Sequence, residues 1–114
     1  LGNNRAMALL LDQDIRDVPG VFAPFFGCPA WTASGTAMIA VKKHTPVLPG
    51  FIHRRPDGTH KIVIHPPLED FASGTLEERI YEVTAAVNAV IERQIRAHPE
   101  QWVWMHRRWR TQPS

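Results

Sequence analysis

The apolar and polar positions of this chain predict short strands early and one long helix late. Ala6 to Leu11 is the longest uninterrupted apolar run, and it ends at Asp12-Gln13-Asp14. That length, with Pro19-Gly20 following, predicts a strand buried on both faces, although Leu9, Leu10 and Leu11 also suit a helical turn. Val21 to Phe26 predicts a second short strand, with Pro24 confining it to an edge or a bulge. A helix is expected to begin around Thr32-Ala33-Ser34-Gly35, capped by Thr32 or Ser34. Met38, Ile39 and Val41 form its apolar side, and Lys42-Lys43-His44 suit the negative end of its dipole. Pro46 to His53 and Lys61 to His65 predict two strands joined as a hairpin by Pro56-Asp57-Gly58.

Thr75-Leu76-Glu77-Glu78 reads as a capping box. Leu76, Ile80, Val83, Val87, Val90, Ile91 and Ile95 then make a helical stripe, opposite Glu77, Arg79, Glu82, Glu92, Arg93 and Arg96. Pro99 ends that helix and suits the first position of another, running to about Arg108. The order β-β-α-β-β-α-α predicts an α/β fold with a mixed β-sheet and flanking helices.

With 114 residues the chain is long enough for one domain with a modest core. The formal net charge is only +2, so the total does not call for a polyanionic partner. The distribution is more informative. Three of the four tryptophans (Trp102, Trp104, Trp109) lie within eight residues, interleaved with His106, Arg107, Arg108 and Arg110. Aromatic surface beside fixed positive charge suits a phospholipid, a phosphorylated glycolipid or a nucleic acid. The alternative is a docked C-terminal helix whose Trp102, Met105 and Trp109 share a buried face and whose basic flank is solvated. The single cysteine, Cys28, excludes an internal disulfide. No apolar run reaches the roughly 18 residues of a spanning helix. The chain opens at Leu1 without methionine, next to a run that wants neighbours, so it is expected to be a piece of a longer protein.

Candidate chemistry is sparse. The histidines show no metal-ligand spacing, and neither a phosphate-binding loop nor a Gly-x-Ser-x-Gly elbow occurs, so no cofactor is expected. Asp12 lies just past the end of the first predicted strand, where open α/β sheets bind ligands. There it either orients a catalytic group or substrate hydroxyl, or is a solvated loop residue. Val21 to Gly27 places three phenylalanines beside a glycine, as the wall of an acyl-chain groove or as core. His65 and Asp70 have the His-x-x-x-x-Asp spacing in which an acid orients an imidazole base. Pro66 and Pro67 between them impose a rigid extended segment, so this spacing is read as coincidence.

Six motifs occur in one order: Asp12-Gln13-Asp14; Val21 to Gly27; Thr32 to Ala37; Pro46 to Pro49 with Arg54 to Gly58; Pro66-Pro67; and Pro99-Glu100-Gln101-Trp102 through His106-Arg107-Arg108-Trp109. In this the chain resembles the C-terminal part of the lipid A biosynthesis lauroyl/myristoyl acyltransferases, in the lysophospholipid acyltransferase superfamily. The resemblance covers almost the whole chain. It implies that residues 1–114 are the C-terminal portion of a single glycerolipid-acyltransferase-like domain. It implies a Gram-negative inner-membrane enzyme that moves a fatty acyl group from acyl carrier protein to a lipid A precursor. The catalytic His-x-x-x-x-Asp/Glu dyad and any membrane anchor would lie in a preceding part, leaving the fragment inactive alone. The substrate-facing residues implied are Asp12, Phe25, Phe26, Thr32, Arg54, Arg107 and Arg108. Expected partners are acyl carrier protein, the lipid A precursor and the membrane surface, with self-association through an uncovered apolar face. The competing reading is a small basic and aromatic module that binds nucleic acid or anionic membrane without catalysis; the absence of an RNA-binding signature weighs against nucleic acid.

Overall fold

The computed structural model describes residues 8–9, 18–68, 74–102 and 108–113. Strand β1 (Gly20–Phe25) pairs antiparallel with β2 (Cys28–Ala33). The two-residue turn Phe26-Gly27 has φ of 52° and 76°, the doubly left-handed geometry that matches strand twist. Phe26 is not a glycine, so its conformation needs outside support, described below. Pro24 faces Pro29. That rank adjoins the hydrogen-bonded pair flanking the turn, so its N–H positions point away from the partner and the prolines cost no ladder bond.

Helix α1 (Gly35–Lys43) starts after the strand, later than Thr32. Ser34 occupies the N-cap, but its side chain makes no capping bond; its N–H instead donates to Pro19 O at 3.0 Å. Thr32 is therefore not a cap. It is a fully buried residue of β2. The Thr-Ala-Ser-Gly pattern resembles a helix start, but pairing with Val21 decides in favour of strand.

The second hairpin joins β3 (Gly50–Arg54) to β4 (His60–Ile64). β3 is shorter than the predicted Pro46–His53 strand, yet Pro49 O and Val47 O still accept from His65 N (2.8 Å) and Leu68 N (2.9 Å). In the connecting turn, Asp57 Oδ1 accepts from Thr59 Oγ1 at 2.6 Å and Thr59 N at 3.0 Å. The hydroxyl bond first, then the backbone bond, holds the Asp57 carboxyl below its ordinary range.

Helix α2 (Leu76–Ala97) is capped as expected: Thr75 Oγ1 accepts from Glu78 N at 3.1 Å. The Thr75 hydroxyl also donates to Glu78 Oε1 at 3.2 Å, in place of the usual return bond to the cap's own N–H. Gly74, with φ of 98°, lets the chain turn in here; a Cβ would meet Glu78 Oε2 at 2.9 Å. The predicted stripe is buried except Leu76, which is exposed, and Ile91, which is half-buried; Thr84 and Asn88 join it.

After α2 comes a 3₁₀ turn, Pro99–Gln101, and Trp102 is already extended. The continuous helix expected from Pro99 to Arg108 does not form through Trp102. The Gln101 side chain is instead drawn to β3, where its Oε1 accepts from Arg54 N (2.8 Å) and its Nε2 donates to Arg54 O (3.1 Å).

Two apolar clusters result. Ala37 and Val41 of α1 meet Ile80 and Val83 of α2. Phe25, Ala30 and Ile95 meet Phe26, Ile91, Trp102 and Trp109. The α/β class holds, with antiparallel pairings among the described residues. The run predicted as a first strand, Ala6 to Leu11, lies outside them except for Ala8 and Leu9.

Candidate functional site

The polar centre of the molecule is Thr32. Its hydroxyl donates to Ala30 O (3.1 Å) and accepts from Asn88 Nδ2 (3.0 Å) and Arg108 Nη2 (2.7 Å). Arg108 Nη1 also donates to Trp31 O at 2.6 Å, and its guanidinium lies 5.3 Å from the Phe25 ring centre. Thr32 and Asn88 are fully buried and Arg108 is 1% exposed. Asn88 Oδ1 has no partner among the described residues. This cluster joins β2, α2 and the C-terminal tail.

That placement bears on three of the residues expected to face substrate. Arg108 is turned inward, with Nη1 donating to a strand carbonyl and Nη2 to a buried hydroxyl. Thr32 is sealed beneath it. Phe25 is 1% exposed and packs near Trp109 and Trp102, with ring centres 5.4 and 6.1 Å away. It is core and not groove wall. Trp102 and Trp109 are core partners as anticipated, but Met105 lies outside the described residues. So do Asp12, Arg107 and Asp70.

Phe26 is held at the turn from three sides. Its N–H donates to Glu92 Oε1 at 2.6 Å, Arg96 lies 4.7 Å above its ring, and Phe25 packs edge-on at 4.9 Å. Glu92 also pairs with Arg96 at 3.3 Å.

An apolar opening lies elsewhere. A cleft of about 990 Å³ is bounded by Ile39 and Ala40 of α1, Val87, Val90, Ile91 and Ile95 of α2, Pro46 to His53, Ile64, and Ala8 and Leu9. Its lining is mostly aliphatic, with Thr36, Thr45, Gln94, His98 and Gln101 among its polar members. The sequence hint of apolar positions along Pro46 to Phe51 and on α1 was available, but nothing in the order of residues shows that these segments face each other. An adjoining, shallower hollow of about 770 Å³ shares His53, Gln94, His98 and Gln101 with it and adds Arg54, Arg55 and Lys61, with Glu100 as its acid. Of the residues expected to face substrate, Arg54 stands here. The His53 and His98 rings lie 4.3 Å apart in the shared wall, and His53 Nδ1 is buried without a partner among the described residues.

His65 Nε2 lies 3.0 Å from Gln94 Nε2, and its ring packs edge-on to Phe51. Among the described residues no group of three His, Cys, Asp or Glu could hold a metal, and no helix is long and apolar enough to cross a membrane.

An aliphatic cleft beside a basic hollow suits an amphiphile. The family model described as bacterial lipid A biosynthesis acyltransferase matches residues 1–111. The chain belongs to this family. It is 36% identical over 106 residues to an Escherichia coli lipid A biosynthesis lauroyltransferase, covering 90% of the chain and 33% of the relative. It is 30% identical over 104 residues to an E. coli lipid A biosynthesis palmitoleoyltransferase and to a Shigella flexneri lipid A biosynthesis acyltransferase, covering 90% of the chain and 32% of each. The chain thus spans about a third of the length of the curated relatives it matches.

Proposed function

We propose that the chain serves O-acyl transfer in lipid A biosynthesis, carrying a fatty acyl group from acyl carrier protein to a lipid A precursor at the cytoplasmic face of an inner membrane. The observation that carries this reading is the family match along residues 1–111. The aliphatic cleft supports it, because an acyl chain is held best where water is excluded and where few polar groups need satisfying. The basic hollow supports it too. A phosphorylated acceptor needs fixed cations, and Arg54 and Arg55 offer planar forks for phosphate while Lys61 adds a point charge.

In this reading Arg54 is a substrate-facing residue, and Phe26, Asp12 and Arg107 keep the roles the resemblance implies. Phe25, Thr32 and Arg108 act by holding β1–β2 under α2. The catalytic base comes from sequence beyond these 114 residues, so the chain alone turns nothing over.

The test is a chimera in which residues 1–111 replace the matching third of the E. coli lauroyltransferase. Acyl transfer from acyl carrier protein to a lipid A precursor is the expected result. A chimera that folds at normal yield and transfers no acyl group overturns the assignment. One that takes acyl groups from coenzyme A as readily overturns the donor.

A further inference from the structure

Among the described residues of the tail, Arg108 is buried and Trp109 half-buried against β1–β2. Hairpin β3–β4 presents an exposed surface that is both apolar and basic. On one face the register stacks Gly50 against Ile64, Ile52 against Ile62, and Arg54 against His60. Ile52, Ile62 and Ile64 are 64%, 67% and 66% exposed, and neighbouring Leu48 is 53% exposed. Strand geometry sets the isoleucine rank about 7 Å from the Arg54–His60 rank. The hairpin carries Arg54, Arg55 and Lys61 against one acid, Asp57, which is tied to Thr59.

We propose that this face docks on a lipid leaflet bearing anionic headgroups, with the isoleucines among the upper acyl carbons and the basic end at the phosphates. An interfacial element buries its apolar side about 5–10 Å deep while its cations stay at headgroup level, and the spacing of the two ranks fits that depth. The apolar part of the face is aliphatic, since Phe51 and His53 belong to the opposite side of the hairpin. Protein interfaces concentrate their energy in anchors such as Trp and Tyr seated in pockets, and the apolar part of this face has none of these. A fluid hydrocarbon surface asks only for apolar area. Ile52, Ile64 and Leu48 also line the cleft mouth. A docked hairpin therefore opens the cleft toward the leaflet, and an acyl chain enters it without crossing water. The docking itself stands whether or not the acyl-transfer reading holds.

The experiment is co-sedimentation of the chain with vesicles of phosphatidylcholine alone and with phosphatidylglycerol added, paired with sedimentation equilibrium without lipid. The replaced side chains are solvent-exposed, so circular dichroism should match the parent in every variant. Ile52→Ser/Ile62→Ser/Ile64→Ser is expected to weaken binding to anionic vesicles by at least about a hundredfold, since each buried isoleucine contributes roughly tenfold. Arg55→Gln, at the basic end of the face, should weaken binding to anionic vesicles by about fivefold and leave neutral vesicles unchanged. Arg110→Gln in the tail should change binding less than either. A folded triple-serine variant that binds anionic vesicles like the parent overturns the proposal. So does a parent chain that ignores anionic vesicles. If the serines only turn a dimer into a monomer and vesicle binding stays as it was, a second copy of the chain covers this face, and the lipid proposal falls.

Discussion

Hairpins β1–β2 and β3–β4 each consist of two short antiparallel strands, yet Ala23, Phe25, Ala30 and Thr32 are sealed in the first, while Ile52, Ile62 and Ile64 stand in solvent in the second. The difference is not in strand composition, since the exposed hairpin has the stronger β-formers. It lies in what crosses over each. α2 lays Ile91 and Ile95 on β1, and the tail brings Trp109 and Arg108 onto the same side. The β3–β4 hairpin is held at its inner edge, through Gln101 on Arg54 and the His53–His98 contact. A two-stranded ribbon gains little stability by itself, so its cover decides whether it is core or surface.

The comparison breaks most easily at Phe25. Phe25→Ala removes the ring that Trp102, Trp109 and Arg108 all touch, and should cost about 3–5 kcal/mol in urea unfolding. Arg108→Ala comes next, at about 3 kcal/mol, because Trp31 O and the Thr32 hydroxyl lose buried donors. A far-ultraviolet spectrum that keeps α2 while tryptophan emission shifts red would place the damage at the β1–β2 cover. Thr75→Ala should cost about 1 kcal/mol through loss of the α2 cap, and it should weaken both hairpins' support alike. Ile62→Ser should lie within about 0.5 kcal/mol of the parent, and a larger loss would mean that β4 is covered after all. The smallest effect concerns Asp57. Its carboxyl titrates below the usual range, so its bonds to Thr59 are present above the unfolded value and are lost as pH falls through the lower folded one. The Thr59 amide resonance should follow that titration, and Asp57→Asn should abolish it.

The same contrast explains what could be read from residues alone. α2 was legible because its stripe and its Thr75 cap are local, and β3–β4 because Pro56-Asp57-Gly58 marks the reversal. β2 was missed because Cys28–Ala33 has no alternation of its own; Phe22, Ala23 and Pro24 across the turn make it a strand. The site was less legible still. Arg108 meets acceptors 76 and 77 positions away, so a basic cluster in sequence became a buried strap in space. The cleft was not visible for a related reason: its walls come from α1, α2 and Pro46 to His53, which only the tertiary arrangement brings together.

The grip of Gln101 on Arg54 has a consequence for growth by strand addition. A carboxamide offers one acceptor and one donor, and here they occupy the outward N–H and C=O of Arg54 as a neighbouring strand would. That rung of β3 is filled by a side chain that cannot itself be extended, while β4 has no strand on its outer side among the described residues. Strand recruitment to this sheet is thus one-sided. Two chains meeting through β4 would end each other's growth, whereas Gln101→Ala frees the rung on the other flank and allows end-to-end stacking.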